Sequence, residues 1–394
     1  MSNERKQSKL GELLRELCPE GVEYKPLGEV VRFLNGRAYK QAELLDEGKY
    51  KVLRVGNFYT NDKWYYSDLE LDEDKYCENG DLLYTWAATL GPQIWSGERV
   101  IFHYHIWKLV LDETVLDKKF LYYFLAKDID DISKSLTKST MPHVSMASMN
   151  KRLVPVPPLP VQREIVRILD KFTERTAALI AELTAELTAR KKQYEFYRNK
   201  LLTFDDVRGG ATSDVVWKSL AEIADISTGS SNTDDAVEGG CYPFFVRSQQ
   251  PLAKDEYEYD EEAIITAGDG VGVGKVFHYI NGKYALHQRA YRIHPATDGL
   301  LGKYLYHYFV ATFPKYIGQQ MYQGSVPSIR RPMLNKFQVA IPSLDVQSRI
   351  VNVLDNFDAI CSDLKIGLPA EIEARKKQYE FYREKLLAFH EISN

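Results

Sequence analysis

The chain has 394 residues, with 51 Lys and Arg against 55 Asp and Glu, a formal net charge of −4. That length has room for about two or three domains with buried cores, and the slight acid excess supplies no bulk attraction for a polyanion. Cys18, Cys77, Cys241 and Cys361 stand singly, without the paired spacing of a zinc module, and no apolar run has membrane-spanning length, so a protein of the reducing cytoplasm without a secretory leader is expected.

In chain order, residues 1–20 begin polar and become amphipathic, with Leu10, Leu13, Leu14 and Leu17 at helical spacing and Pro19-Glu20-Gly21 as the stop. Residues 22–158 carry short β-rich runs bounded by turn residues, among them Lys51–Val55, Asp81–Thr85 and Val100–Tyr104, followed by a helical stretch over Lys118–Lys127. From about Val161 to Phe204 there is neither Gly nor Pro. Apolar positions recur there at Ile165, Phe172 and Leu179, then at Leu183, Leu187, Tyr194, Tyr197 and Leu201, and Pro160 stands where a first helical turn accepts proline. The spacing predicts one long helix, a rod of about 66 Å. A second body, roughly 214–343, contains a strand at Ala263–Thr266 and a helix over Leu301–Thr312.

The chain then repeats itself. Ala189–Phe204 returns as Ala374–Phe389 with two of sixteen positions changed, 185 residues on. The same offset maps Asn150-Lys151 onto Asn335-Lys336, Gln162 onto Gln347, Ile165-Val166 onto Ile350-Val351 and Leu169-Asp170 onto Leu354-Asp355. Val22–Val30 likewise resembles Val215–Ile223, at an offset of 193, so the bodies differ in length. Two copies of one unit are therefore expected, with connectors nearly identical and bodies divergent. Duplicated units in cyclic order predict one fold for both bodies, approximate twofold symmetry and antiparallel connector helices. Gly367-Leu368-Pro369 should kink or break the second connector.

Catalytic motifs are absent. Gly268–Lys275 departs from a phosphate loop at Asp269 and Val276, and from a dinucleotide loop at Val273, so a flexible turn between strands is the better reading. His103 and His105 share one face of an expected strand without a third ligand, which predicts ordinary strand histidines and no metal site. No methyltransferase motif, nucleophile elbow or nuclease carboxylate cluster is found. A solitary methyltransferase or nuclease would need a further catalytic domain for which the chain has no room. A coiled-coil scaffold unconnected with DNA would leave the paired, divergent bodies unexplained.

The run Val154–Val166 and the twin Ala-Arg-Lys-Lys-Gln-Tyr-Glu-Phe-Tyr-Arg segments resemble the specificity subunits of type I restriction–modification enzymes, over nearly the whole chain. The tandem Ala181–Thr184 and Ala185–Thr188 is similar to their IC subgroup. Where many of those relatives have Glu-Gln at the helix start, this chain has Val161-Gln162 and Val346-Gln347. The resemblance implies an α+β fold: an N-terminal helix (1–20), target-recognition domains (21–158 and 211–343), and two long antiparallel helices (159–210 and 344–394). It implies that each recognition domain reads one half of a bipartite double-stranded DNA site, that the helices set the spacer and dock two methyltransferase subunits, and that restriction (motor–nuclease) subunits join through these. S-adenosylmethionine, ATP and Mg would then belong to the partner subunits, with no cofactor, metal or catalysis in this chain and no membrane partner.

Within that frame, base readers are sought among residues that suit base edges, Arg for guanine and Asn or Gln for adenine. In the first body these are Arg54 and Asn57 at a strand end, with Trp86 after another strand. In the second, Arg247, Ser248 and Gln249 occupy the matching place, with Lys275 and Gln288-Arg289 nearby in sequence. Leu179, Leu183, Leu187, Tyr194, Phe196, Tyr197, Tyr379, Phe381 and Tyr382 are expected to serve helix or subunit packing. Adjacent aromatics on a helix cannot all face one partner.

Overall fold

A computed structural model describes residues 8–59, 61–129, 131–132, 143–204, 215–320, 327–362 and 366–392. It divides into two compact units, one of residues 1–181 with 373–394, the other of residues 182–372.

The first unit opens with α1 (Lys9–Leu17), capped by the Ser8 hydroxyl, which accepts from the Gly11 amide at 3.2 Å. Its leucine face buries Leu10 and lays Leu13 and Leu14 on the unit's main core. Strand β1 (Tyr24–Pro26) pairs antiparallel with β10 (Leu153–Pro155), so the two ends of the β-rich body close on each other. Between them lie two four-stranded sheets. One has the order β2 (Val31–Asn35), β9 (Ile106–Leu111), β6 (Leu82–Thr85), β7 (Gly91–Ile94). The other runs β4 (Tyr65–Ser67), β3 (Tyr50–Leu53), β8 (Val100–Phe102), β5 (Tyr76–Cys77), with β3 and β8 parallel. Helix α2 (Lys118–Lys127) occupies the predicted span, because Asp117 caps the amides of Lys119 and Phe120 and the helix buries Phe120, Leu121, Phe124 and Leu125.

The second unit repeats this plan. Strand β11 (Val216–Ser219) pairs with β18 (Gln338–Ile341). Within that clasp one six-stranded sheet runs β12 (Ala224–Thr228), β17 (Ala290–Pro295), β15 (Tyr259–Ala267), β16 (Phe277–Leu286), β13 (Tyr242–Phe245), β14 (Leu252–Lys254). Strands β15 and β16 are continuous over nine and ten residues. Their counterparts in the first unit are each interrupted, β5 from β6 by a turn at Gly80 (φ 88°) and β7 from β8 by Trp95–Arg99, which splits one sheet into two.

Two expectations need correction. The helix predicted to end at Thr312 continues as α3 (Gly302–Gln320) through Pro314, because buried Phe313 just before the proline and Ile317 beyond it both complete the core. His103 and His105 are not on a strand: β8 stops at Phe102, and the pair occupies the tight turn into β9.

The long helix, α4, runs Leu159–Leu202, 44 residues. Its copy is divided, as Gly367-Leu368-Pro369 predicts, into α5 (Leu344–Ser362) and α6 (Leu368–Leu386). Contacts within each unit are antiparallel. Thr173 and Phe172 of α4 meet Tyr379 and Tyr382 of α6, while Tyr194 and Tyr197 of α4 pack against Phe357 of α5.

The duplication extends to individual hydrogen bonds. Buried Gln162 accepts from the Asp117 amide at 2.7 Å and donates to the carbonyls of Val115 and Pro157 at 2.9 and 2.7 Å. Buried Gln347 does the same with Leu301, Gly299 and Pro342 at 2.9, 2.8 and 2.8 Å. Eight residues further along each helix a carboxylate secures the neighbouring helix, α2 or α3. Asp170 accepts from Lys119 and Tyr123, and Asp355 from Lys303, with His307 at 2.8 Å. The glutamine is retained because only a side-chain amide satisfies one amide N–H and two carbonyls from a single buried position.

Candidate nucleic-acid interface

In the second unit three sequence-distant segments meet at one end of the six-stranded sheet. They are Arg247–Gln249 after β13, Gly268–Lys275 after β15, and the His287–Arg289 turn between β16 and β17. Main-chain bonds tie them together: His287 N–H to Phe245 at 2.9 Å and Gly268 N–H to Arg289 at 2.8 Å. Gly268 has to be glycine, since a Cβ there would lie 2.7 Å from the Arg289 carbonyl oxygen. The turn itself is held by His287, whose Nδ1 accepts from the Arg289 amide at 2.9 Å. Burial, with the charge of Arg247 behind it, keeps that imidazole's pKa below the ordinary value and its ring an acceptor.

On this frame Arg247 Nη1 donates to one oxygen of Asp269 at 2.7 Å and Arg289 Nη1 to the other at 3.3 Å. Burial opposes ionisation of Asp269, but the Arg247 hydrogen bond and the two guanidinium charges prevail and hold its pKa below the usual range. Gln288 and Gln249 are exposed, as is Lys275. The Gln288 amide donates to Asn232, and the Ser248 hydroxyl donates to the Gln250 carbonyl at 2.6 Å.

The same three segments meet in the first unit. Arg54 follows β3, Trp86 follows β6, and His103–His105 form the turn between β8 and β9. The corresponding main-chain bonds are His103 N–H to Leu53 at 2.9 Å and Trp86 N–H to His105 at 3.1 Å. Here the segment after β3 and the histidine turn enclose a concavity of about 150 Å³ lined by Arg54, Val55, Gly56, Asn61, His103 and His105. Arg54 lies over the Tyr65 ring, 5.2 Å from its centroid. Burial, then the charges of His105 and Arg54, push the His103 pKa down to about 4.

Two of the residues singled out from sequence hold the loops in place. Asn57 accepts from the Arg54 amide at 3.0 Å and donates to the carbonyls of Asn61 and Lys63, both at 3.1 Å. Trp86 stacks on Trp107 and donates Nε1–H to the Tyr104 carbonyl at 2.7 Å. Conversely, Asp269, Asn61 and the histidine turn carried no signal in one dimension. Asp269 meets arginines 22 and 20 residues away, and only the sheet brings them together.

Along the helices Leu179, Leu183 and Leu187 are half-buried. Tyr194 and Tyr197 pack on Phe357, Tyr379 on Thr173 and Tyr382 on Phe172, whereas Phe196 and its copy Phe381 are each 59% exposed. Among the described residues no group of His, Cys, Asp or Glu is placed to hold a metal ion, and no helix is long and apolar enough to cross a membrane.

One fold used twice, with the same three loops gathered at the same sheet end but furnished with different side chains, defines a duplicated recognition subunit. Residues 19–189 and 212–374 match the family described as the type I restriction modification DNA specificity domain, and the chain belongs to it. It is 33% identical over 298 residues to the EcoR124I/EcoR124II specificity subunit of Escherichia coli, covering 69% of this chain and 70% of that one. It is 29% identical over 386 residues to a putative specificity subunit of Haemophilus influenzae, covering 93% and 96%. Among solved structures it resembles a chain from a study of complex assembly and conformational transition of the type I system, with TM-score 0.66 and 16% identity over 94% of this chain and 98% of that one. It also resembles the specificity subunit of M. genitalium, with TM-score 0.51 and 15% identity over 93% and 96%. Its function is that of a type I specificity subunit, the non-catalytic component for DNA recognition.

Proposed function

We propose that residues 21–158 read one half of a bipartite site in double-stranded DNA and residues 211–343 the other, with the helical segments 159–210 and 344–394 setting the unspecified spacer. One observation carries this reading: equivalent loops converge in both units, yet Arg54, His103 and His105 stand in one where Arg247, His287 and Arg289 stand in the other. Arg54 faces the DNA in the first unit. Arg247, Ser248, Gln249, Lys275, Gln288 and Arg289 do so in the second, while Asn57 and Trp86 shape their loops from behind.

The helices also dock two methyltransferase subunits and, through them, the restriction subunits. S-adenosylmethionine, ATP and Mg act in those partners, within the cytoplasm. Supporting this are exposed Phe196 and Phe381 at equivalent positions, and the exposed heptad-spaced stripe Val346, Val353, Ile360 on α5. A net charge of −4 means that the phosphate attraction must come largely from partners. Gel shifts with the purified subunit, alone and with its methyltransferase partner, test the reading at physiological salt. Specific binding should appear only with the partner, and tight specific binding by the subunit alone would contradict it.

A further inference from the structure

We infer that Asp269 is a specificity-positioning residue: its carboxylate sets Arg247 and Arg289 as a paired guanidinium reader for a guanine in the half-site of the second unit. This rests on the recognition reading above and names the chemistry of one of its two sites.

The geometry places the acid behind the two bases. Asp269 keeps 26% of its side chain exposed, against 40% for Arg247 and 60% for Arg289, so the guanidinium groups are the outer members. Each arginine commits one Nη1–H to the carboxylate and retains further N–H donors in the guanidinium plane. A guanine presents O6 and N7 as adjacent acceptors in the major groove, which matches a guanidinium fork, while adenine places an N6–H donor against it. A free surface arginine samples many rotamers and loses that freedom on binding. One held by a fixed carboxylate has lost much of it beforehand. The carboxylate is itself fixed, because its loop is bonded to the turn through Gly268 and to the following segment through Gly270 N–H to the Pro327 carbonyl at 2.9 Å.

The first unit supplies the internal comparison. Ala87 holds the place of Asp269: each follows the residue that bonds to the β-turn, and each makes an isolated antiparallel bridge, Ala87 to His143 and Asp269 to Ser328. No carboxylate stands there, and Arg54 lies on the Tyr65 ring. The two units thus hold their arginines by different means, and Asp269 distinguishes the second.

The test uses the full chain expressed with its methyltransferase partner and genome-wide sequencing of methylated adenines. Wild type is compared with Asp269→Ala, Asp269→Asn, Arg247→Lys and Arg54→Ala. Asp269→Ala and Arg247→Lys should loosen one G·C pair in one half-site, with discrimination there falling roughly tenfold or more, and leave the other half-site intact. Arg54→Ala should alter only the other half-site. Asp269→Asn, which keeps the size and one acceptor, should fall between. The inference is overturned if Asp269→Ala methylates the wild-type site with undiminished preference, or if it lowers methylation evenly at every position as a folding defect would. A wild type without sequence preference, or Arg54→Ala and Arg247→Lys acting on the same half-site, overturns the recognition reading and this inference with it.

Discussion

Replacing Gln347 by leucine keeps the volume near that of the native side chain and removes its polar atoms from a fully buried position. Three groups then lose their partner: the Leu301 amide at 2.9 Å and the carbonyls of Gly299 and Pro342, both at 2.8 Å. A buried polar group left unsatisfied costs about 1–3 kcal/mol, and a carbonyl with another partner less. Burial of the leucine returns about 1–2 kcal/mol. The balance is a destabilisation of about 3 kcal/mol, a large share of the roughly 5–15 kcal/mol of an ordinary domain. Urea unfolding measures it as a lower midpoint at unchanged slope, and hydrogen exchange localises it, since the Leu301 amide should lose protection first. Gln162→Leu should behave alike through Asp117, Val115 and Pro157. A loss below about 1 kcal/mol, or a Leu301 amide protected as before, would refute the view that this amide locks the recognition body to the helix.

Deleting Ala185–Thr188 from α4 should shorten the helix by about 6 Å and rotate its far end by about 40°, giving unchanged half-sites around a spacer shortened by one or two base pairs. Sequencing of methylated adenines reads the spacer directly, and a two-residue deletion, which turns the apolar stripe by about 160°, should disrupt packing instead. Phe196→Ala with Phe381→Ala should weaken methyltransferase docking in a pull-down or titration while leaving the unfolding midpoint nearly unchanged, because both rings are 59% exposed. His103 is neutral in both folded and unfolded chains above pH 6.5. Its folded pKa of about 4, lowered by burial, means that only the unfolded chain takes up its proton between pH 6.5 and 4, so stability is lost as pH falls through that window. His103→Asn should flatten the pH dependence of the unfolding midpoint there, and parallel curves would count against the burial argument.

Elements whose signals are local were legible in the chain. The run Lys118–Lys127 read as a helix and is one, and Pro160 with an uninterrupted stripe marked α4. Gly367-Leu368-Pro369 marked the break between α5 and α6. Whatever depends on tertiary neighbours was not. Pro314 reads as a stop, and only the core that receives Phe313 and Ile317 carries the helix past it. His103 and His105 alternate as on a strand, but the reversal at Tyr104 that lets His105 accept from Trp86 is set by the sheet. The proposed recognition face was half visible for the same reason. Arg54, Arg247 and Arg289 can be picked by residue type, whereas the acid that pairs two of them, and the loop-building role of Asn57, exist only once the strands are assembled.

Exchange of one recognition body tests the central claim most directly. Residues 220–337, which lie inside the β11–β18 clasp, are replaced by the corresponding segment of the Escherichia coli relative, and methylated adenines are sequenced in cells that carry the methyltransferase partner. The account predicts that one half-site changes to that of the donor while the other half-site and the spacer stay as they were. A chimaera that is folded and active yet changes both half-sites, or neither, would contradict it.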